Sequence, residues 1–200
     1  MINETASTAV QIRQATAQAH AATEKALIRH IKSIRTPQEY ASLLYCMYGF
    51  FAPMETHIAA LTGTAIPDTQ QRRKADRILA DLQALGFPAP RHMVQQLPVI
   101  QHTAEALACQ YVLEGSTLGG AVIKKMISGQ CPAIPETAFS FFSGYGEHNK
   151  EMWQQFLTSF NTAVTTDADT RLATAAANAC FTALGAWIHT FYTTLNGGLQ

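Results

Sequence analysis

No stretch of this 200-residue chain alternates apolar and polar side chains over the length of a strand. Apolar residues recur instead at intervals of three and four, the spacing that places them on one face of a helix. The expected fold is therefore all-α. No repeat, low-complexity tract or linker divides residues 1–200, which read as a single-domain helical bundle. A first helix is predicted from about Ala9 to Ile28, with Ile12, Ala15, Ala19 and Ala22 along a narrow face. Thr36-Pro37-Gln38-Glu39 is a strong helix start: threonine caps, proline suits the first turn, and Glu39 closes a capping box. Pro53 is expected to bend or interrupt that helix. Further helices are predicted over 68–85, 103–127, 147–160 and 167–195, with another starting at Ala133-Ile134-Pro135-Glu136 and breaking near Gly144-Tyr145-Gly146.

Hydrophobic residues make up 48% of the chain and charged ones 14%, a globular composition. Fourteen Lys and Arg balance fourteen Asp and Glu, so no basic excess argues for nucleic acid or an anionic membrane. The apolar run 104–113 is interrupted by Glu105 and ends at Glu114, too short to span a bilayer. The first twenty residues lack the pattern of a secretory signal. Cys46, Cys109, Cys131 and Cys180 are far apart without metal-site spacing, and read as reduced thiols in a cytoplasmic protein.

Two segments carry chemistry. In IRQATAQAHAATEKAL, Glu24 lies one turn beyond His20 and Arg13 two turns before it. A histidine can ligate a metal through one ring nitrogen while the other donates to a carboxylate. The alanines around it leave room for a large flat ligand. By itself the pattern is more often a solvated His–Glu pair. In YVLEGSTLGGAVIKKM, Gly115, Gly119 and Gly120 interrupt a helix of good periodicity, each costing about 1 kcal/mol relative to alanine. Either a close helix crossing or a ligand pressed against the backbone would account for them. Ser116 and Thr117 offer hydroxyls beside them.

Together these segments resemble the haem oxygenase family. The histidine segment is similar to the family's proximal helix, where His20 and Glu24 match the iron ligand and a following glutamate. YVLEGSTLGGAVI is similar to the glycine-rich distal helix of bacterial members, and YGFFAPMETHI (48–58) and FFSGYGEHNKEMWQQF (141–156) also resemble that branch. The resemblance runs from about Val10 to Phe191. It implies an oxygenase that takes haem as both cofactor and substrate and releases biliverdin, CO and Fe2+. O2 and electrons come from outside, the latter from a ferredoxin, a flavoprotein reductase or ascorbate. The implied metal ligand is His20, with Glu24, Arg13, Gly120 and Phe181 in contact with cofactor. Gly115, Ser116 and Gly119 form the implied catalytic face. A non-catalytic haem-binding or haem-transfer protein on the same fold is the alternative. An enzyme of the thiaminase-like branch would need carboxylates and a cysteine in a central pocket, and no convincing set is present.

Two departures stand out. Mammalian-type members carry an aspartate where this chain has Ser116, and basic propionate partners in a stretch that here, Trp153 to Phe160, contains none. Arg13 falls on a basic position of the family's first helix, and Lys124 and Lys125 are the nearest candidates for a second propionate partner. His57 and His189 are the main rivals to His20; His30, His92, His102 and His148 read as surface or core residues. Arg72-Arg73-Lys74 reads as a solvated basic face that could also dock an acidic electron donor.

Overall fold

The computed structural model describes residues 7–72 and 74–195, and among these there is no strand. Eight α-helices follow in order: α1 (Thr8–Ala15), α2 (Ala17–Ser33), α3 (Pro37–Thr62), α4 (Ala75–Ala84), α5 (Thr103–Gln130), α6 (Ser140–Ser143), α7 (Asn149–Ala163) and α8 (Asp167–Thr190). The last continues as a π-helical turn, Phe191–Leu195. Helix α5 packs along α8 and against α3; α2 lies on α8; α1 packs on α7 and α8. One continuous core joins them, with Tyr40, Phe50, Phe51, Phe139, Phe156 and Phe160 among its largest buried side chains. The four cysteines are free and buried. No described helix is long and apolar enough to cross a membrane.

The first predicted helix is two. It breaks at Thr16 and runs on to Ser33 rather than ending at Ile28. The buried Thr16 hydroxyl donates to the Ile12 carbonyl at 2.8 Å, a back-bond that bends helices. The capping box at the start of α3 forms as expected: Glu39 N–H donates to Thr36 Oγ1 at 3.2 Å, and Thr36 N–H to Glu39 Oε2 at 3.0 Å. Thr36→Ala should therefore cost about 1 kcal/mol of stability, read from the denaturant midpoint.

Pro53 does not interrupt α3. Its missing N–H frees the Gly49 carbonyl, which accepts from Val94 N–H at 2.9 Å and so ties down the loop before α5. The predicted helix over 68–85 is only partly helical. Thr69–Arg72 forms a 3-10 turn, and α4 starts anew at Ala75 because the buried Glu55 carboxylate accepts from the Lys74 and Ala75 N–H groups. The helix expected from residue 133 is a 3-10 turn, Glu136–Ala138, followed by one turn of α6. The Asp81 carboxylate caps that turn, accepting from Ser140 and Phe141 N–H at 2.7 and 2.9 Å. Gly144 and Gly146 then take positive φ, 58° and 63°, and reverse the chain into α7.

Candidate functional site

His20 is exposed on α2, and its ring meets the edge of buried Phe181 on α8, centroids 5.3 Å apart at 78°. The anchor is one turn away. Thr23 Oγ1 donates to the Phe181 carbonyl on α8 at 3.0 Å, and Gly185 of α8 lets that hydroxyl approach. The two helices thus hold His20 and Phe181 together through a buried polar contact. Glu24 is exposed, and among the described residues no hydrogen bond joins it to His20. Exposed Arg13 on α1 stands near enough to Tyr111 of α5 to oppose the upward push of burial on that phenol. Tyr111 itself stacks obliquely on Trp153 of α7, centroids 5.2 Å apart.

The other histidines are placed differently. His57 Nε2 lies 3.2 Å from the Pro98 carbonyl. His30 stacks on Tyr192, centroids 3.6 Å apart, and His148 faces Glu151 at 3.2 Å. His189, His92 and His102 are exposed. Among the described residues no three His, Cys, Asp or Glu side chains converge as a metal-binding set.

Helix α5 runs unbroken through its glycines, none of which has positive φ, so it is their small size that matters. At Gly120 a Cβ would run into the Phe142 backbone carbonyl; this glycine serves a helix crossing, and its side-chain direction points into α6. At Gly119 a Cβ would meet nothing within 4 Å, and at Gly115 only the far ring atom of Trp153 at 4.0 Å. At 100° per residue, Gly115, Leu118, Gly119 and Val122 share one face. That face is bare: Leu118 is 52% exposed and Val122 67%. Ser116 is exposed beside it, its hydroxyl donating to the Leu113 carbonyl at 2.6 Å and retaining lone pairs to accept.

Of the two lysines beyond the glycines, Lys124 is turned to Glu136 and lies over the Phe139 ring. Lys125 is exposed.

The basic run at 72–74 is not the solvated face expected. Arg73 lies outside the described residues, but Arg72 and Lys74 are each only 4% exposed. Both are drawn inward by Glu114, 1% exposed, which lies immediately before Gly115. Arg72 Nη1 is 2.9 Å from Glu114 Oε2, Lys74 Nζ contacts Oε1, and the Tyr145 hydroxyl donates to the carboxylate at 3.0 Å. Arg72 also grips Asp68 in a fork, 2.6 and 2.7 Å. Burial and the adjacent Glu114 push the Tyr145 phenol far up. Sequence reasoning missed this cluster; the one signal was Glu114, a carboxylate directly after the apolar Val112 and Leu113 in the middle of α5.

Comparisons agree with this architecture. A family model described as heme oxygenase matches residues 6–190. No curated protein matches the sequence. Among solved structures, the NO- and CO-bound heme oxygenase of Neisseria meningitidis superposes with a TM-score of 0.78 at 18% identity, over 94% of this chain and 93% of that one. The heme oxygenase of Leptospira interrogans superposes with a TM-score of 0.73 at 20% identity, over 91% and 98%. These structures share the helical fold, and the family match spans nearly the whole length: the chain belongs to the haem oxygenase family of enzymes.

Proposed function

We propose that this protein cleaves haem to biliverdin, CO and Fe2+, binding it between α2 and the glycine face of α5. The observation that carries the reading is the open space at Gly119. A helix that gives up side chains there without using the room for a crossing is shaped for something else, and exposed Leu118 and Val122 offer that ligand an apolar wall. The residues present fit haem in kind: an exposed imidazole on α2 against the Phe181 ring, a bare apolar face on α5 at Leu118 and Val122, and an exposed cation, Arg13, on α1. When bound, haem would supply both the iron that activates O2 and the macrocycle that is oxidised.

The chain's own residues would bind, orient and screen. His20 would hold the iron, its ring kept upright by Phe181. Glu24, one turn on, would accept the second ring proton once ligation fixes the tautomer, raising the basicity of His20. Arg13 would meet a propionate. Ser116 would accept from a water on the distal side, in place of the aspartate of mammalian-type members. Gly115 and Gly119 would let the backbone come close while leaving space for O2 and little more. Electrons would come from a ferredoxin or flavoprotein reductase, or from ascorbate in vitro. The four buried thiols suit a reducing, cytoplasmic setting.

The test is the absorbance spectrum of the haem-reconstituted protein, followed through ascorbate addition in air. Wild type should convert the haem spectrum to that of biliverdin. His20→Ala should lose the normal spectrum and regain it with added imidazole. An unchanged spectrum in His20→Ala, with loss in His57→Ala or His189→Ala, would reassign the ligand. A stable spectrum with no turnover in wild type would make this a haem-binding or haem-transfer protein. Glu24→Ala should lower haem affinity or rate by about 10–100-fold with the fold intact; wild-type affinity, potential and rate would leave Glu24 a surface charge.

A further inference from the structure

His20 is exposed, and among the described residues no hydrogen bond holds its ring. Its orientation rests on an aromatic contact, the edge of Phe181, and Phe181 belongs to another helix. What ties Phe181 to α2 is the Thr23 hydroxyl. At 100° per residue Thr23 lies about 60° around α2 from His20. It is on the flank turned to α8, and only 8% of it is exposed. Its Oγ1 lies 3.0 Å from the Phe181 carbonyl and 3.0 Å from that of Ala19, one turn back on α2. The hydroxyl has one proton, so donation across to α8 competes with a bond inside α2. Within α8 the Phe181 carbonyl is already the regular acceptor for the Gly185 N–H, and the Thr23 proton takes its second lone pair. A Cβ at Gly185 would lie 3.4 Å from Thr23 Oγ1, so the glycine keeps that approach open. The bond therefore grips the same residue whose side chain meets the imidazole.

We infer that Thr23 is a positioning residue: its hydroxyl sets the plane of the His20 ring by fixing Phe181 against α2. The inference rests on the haem oxygenase reading for its purpose, since His20 is there the iron ligand. An imidazole that binds a metal through one nitrogen can still turn about the metal–nitrogen bond. A ring edge set against it removes that freedom, provided the edge itself is firm. Apolar packing of α8 on α2 does not make it firm, because such packing has no preferred direction. A hydrogen bond has one, and it fixes both the spacing of the two helices and their register at Phe181. Burial of the hydroxyl does not by itself explain the contact. The Ala19 carbonyl alone would satisfy the proton, so the reach across to Phe181 and the cleared space at Gly185 serve the register.

The test starts with the haem-free full chain. Relaxation dispersion of the His20 ring resonances reads the fraction of rings turned away from Phe181. Thr23→Val keeps the shape of the side chain and loses the proton. One hydrogen bond is worth about five-fold in an equilibrium, so in Thr23→Val that fraction should rise by about that factor. Thr23→Ser keeps the hydroxyl and should behave as wild type. With haem and cyanide bound, the spread of the haem methyl proton resonances reports the plane of the axial imidazole. It should change in Thr23→Val and stay at the wild-type value in Thr23→Ser. In a Phe181→Leu background, adding Thr23→Val should change the spread no further, because the hydroxyl acts through Phe181. A Thr23→Val protein with the wild-type ring fraction and methyl spread, whatever its Tm, overturns the proposal and leaves Thr23 a helix-packing residue. So does a Thr23→Ser protein as disturbed as Thr23→Val. If Thr23→Val fails to fold, Thr23→Cys, a weaker donor of similar size, should fold with a loosened ring, and a wild-type ring fraction there overturns the proposal. A haem spectrum unchanged in His20→Ala defeats the iron-ligand reading of His20, and the haem-free resonances still decide whether Thr23 positions the ring.

Discussion

Gly119→Leu is expected to abolish biliverdin formation in a protein that still folds and still binds haem, whereas Gly120→Leu is expected to unfold it. The two glycines are neighbours in sequence, and only their surroundings separate them. A side chain at Gly119 enters open space on the bare face of α5, so the fold has no reason to object. One at Gly120 meets the Phe142 backbone carbonyl, which no rotamer change can move aside. The milder pair sharpens the contrast. Gly119→Ala should gain up to about 1 kcal/mol of helix propensity, or roughly 2–4 °C in Tm. Gly120→Ala should lower Tm instead. Melting temperature, haem affinity and biliverdin yield measured on the same samples separate the two roles. A Gly119→Leu protein that binds haem and turns it over at the wild-type rate would end the case for a ligand-facing glycine. So would one that unfolds like Gly120→Leu.

The split within this motif marks how far sequence could reach. Three glycines in one helix announced that something comes close, and periodicity alone assigned the helix that carries them. Neither crossing nor ligand could be chosen from spacing, because both need the same missing Cβ. The choice depends on what lies opposite, and that is set by α6, some twenty residues further on. Helix ends were missed for a related reason. A back-bond at Thr16 ends α1, and a distant carboxylate, Glu55, starts α4 by accepting from the Lys74 and Ala75 N–H groups; local propensity contains neither. Spacing put Glu24 one turn beyond His20, and no hydrogen bond joins the two among the described residues; the structure adds what spacing could not: Phe181, 161 positions away, set edge-on against the imidazole. The basic run 72–74 was misread because charge runs are usually solvated, and its partner Glu114 is forty residues distant.

That misread cluster carries the largest expected loss of stability. Glu114→Ala removes the one carboxylate shared by buried Arg72, buried Lys74 and the hydroxyl of half-buried Tyr145. Arg72 keeps its fork to Asp68, but Lys74 is left with the Arg72 carbonyl, the Tyr145 hydroxyl at 3.3 Å and the Tyr145 ring, none of them a charge partner. Burial already presses the Lys74 ammonium toward its neutral form, and Glu114 is the strongest influence opposing it. Removing one partner of such a group costs about 3–5 kcal/mol, chiefly because a buried charge is stranded. For a chain of this size that is a fall in Tm of roughly 6–20 °C. The stranding account makes a second demand. Adding Lys74→Met to Glu114→Ala should recover part of the loss, since an apolar side chain does not need the absent carboxylate. A loss below about 1 kcal/mol in Glu114→Ala would mean the charges are effectively solvated. Additive losses in the double variant would mean that the methylenes of Lys74, and not its charge, hold α4 against α5. The cluster sits directly beneath the turn that leads into Gly115, so its integrity also bears on the haem face. Glu114→Gln keeps the shape and gives up the charge. It should therefore lose stability while a remaining folded fraction binds haem with altered affinity, and if affinity per folded molecule is unchanged, the cluster serves the fold alone.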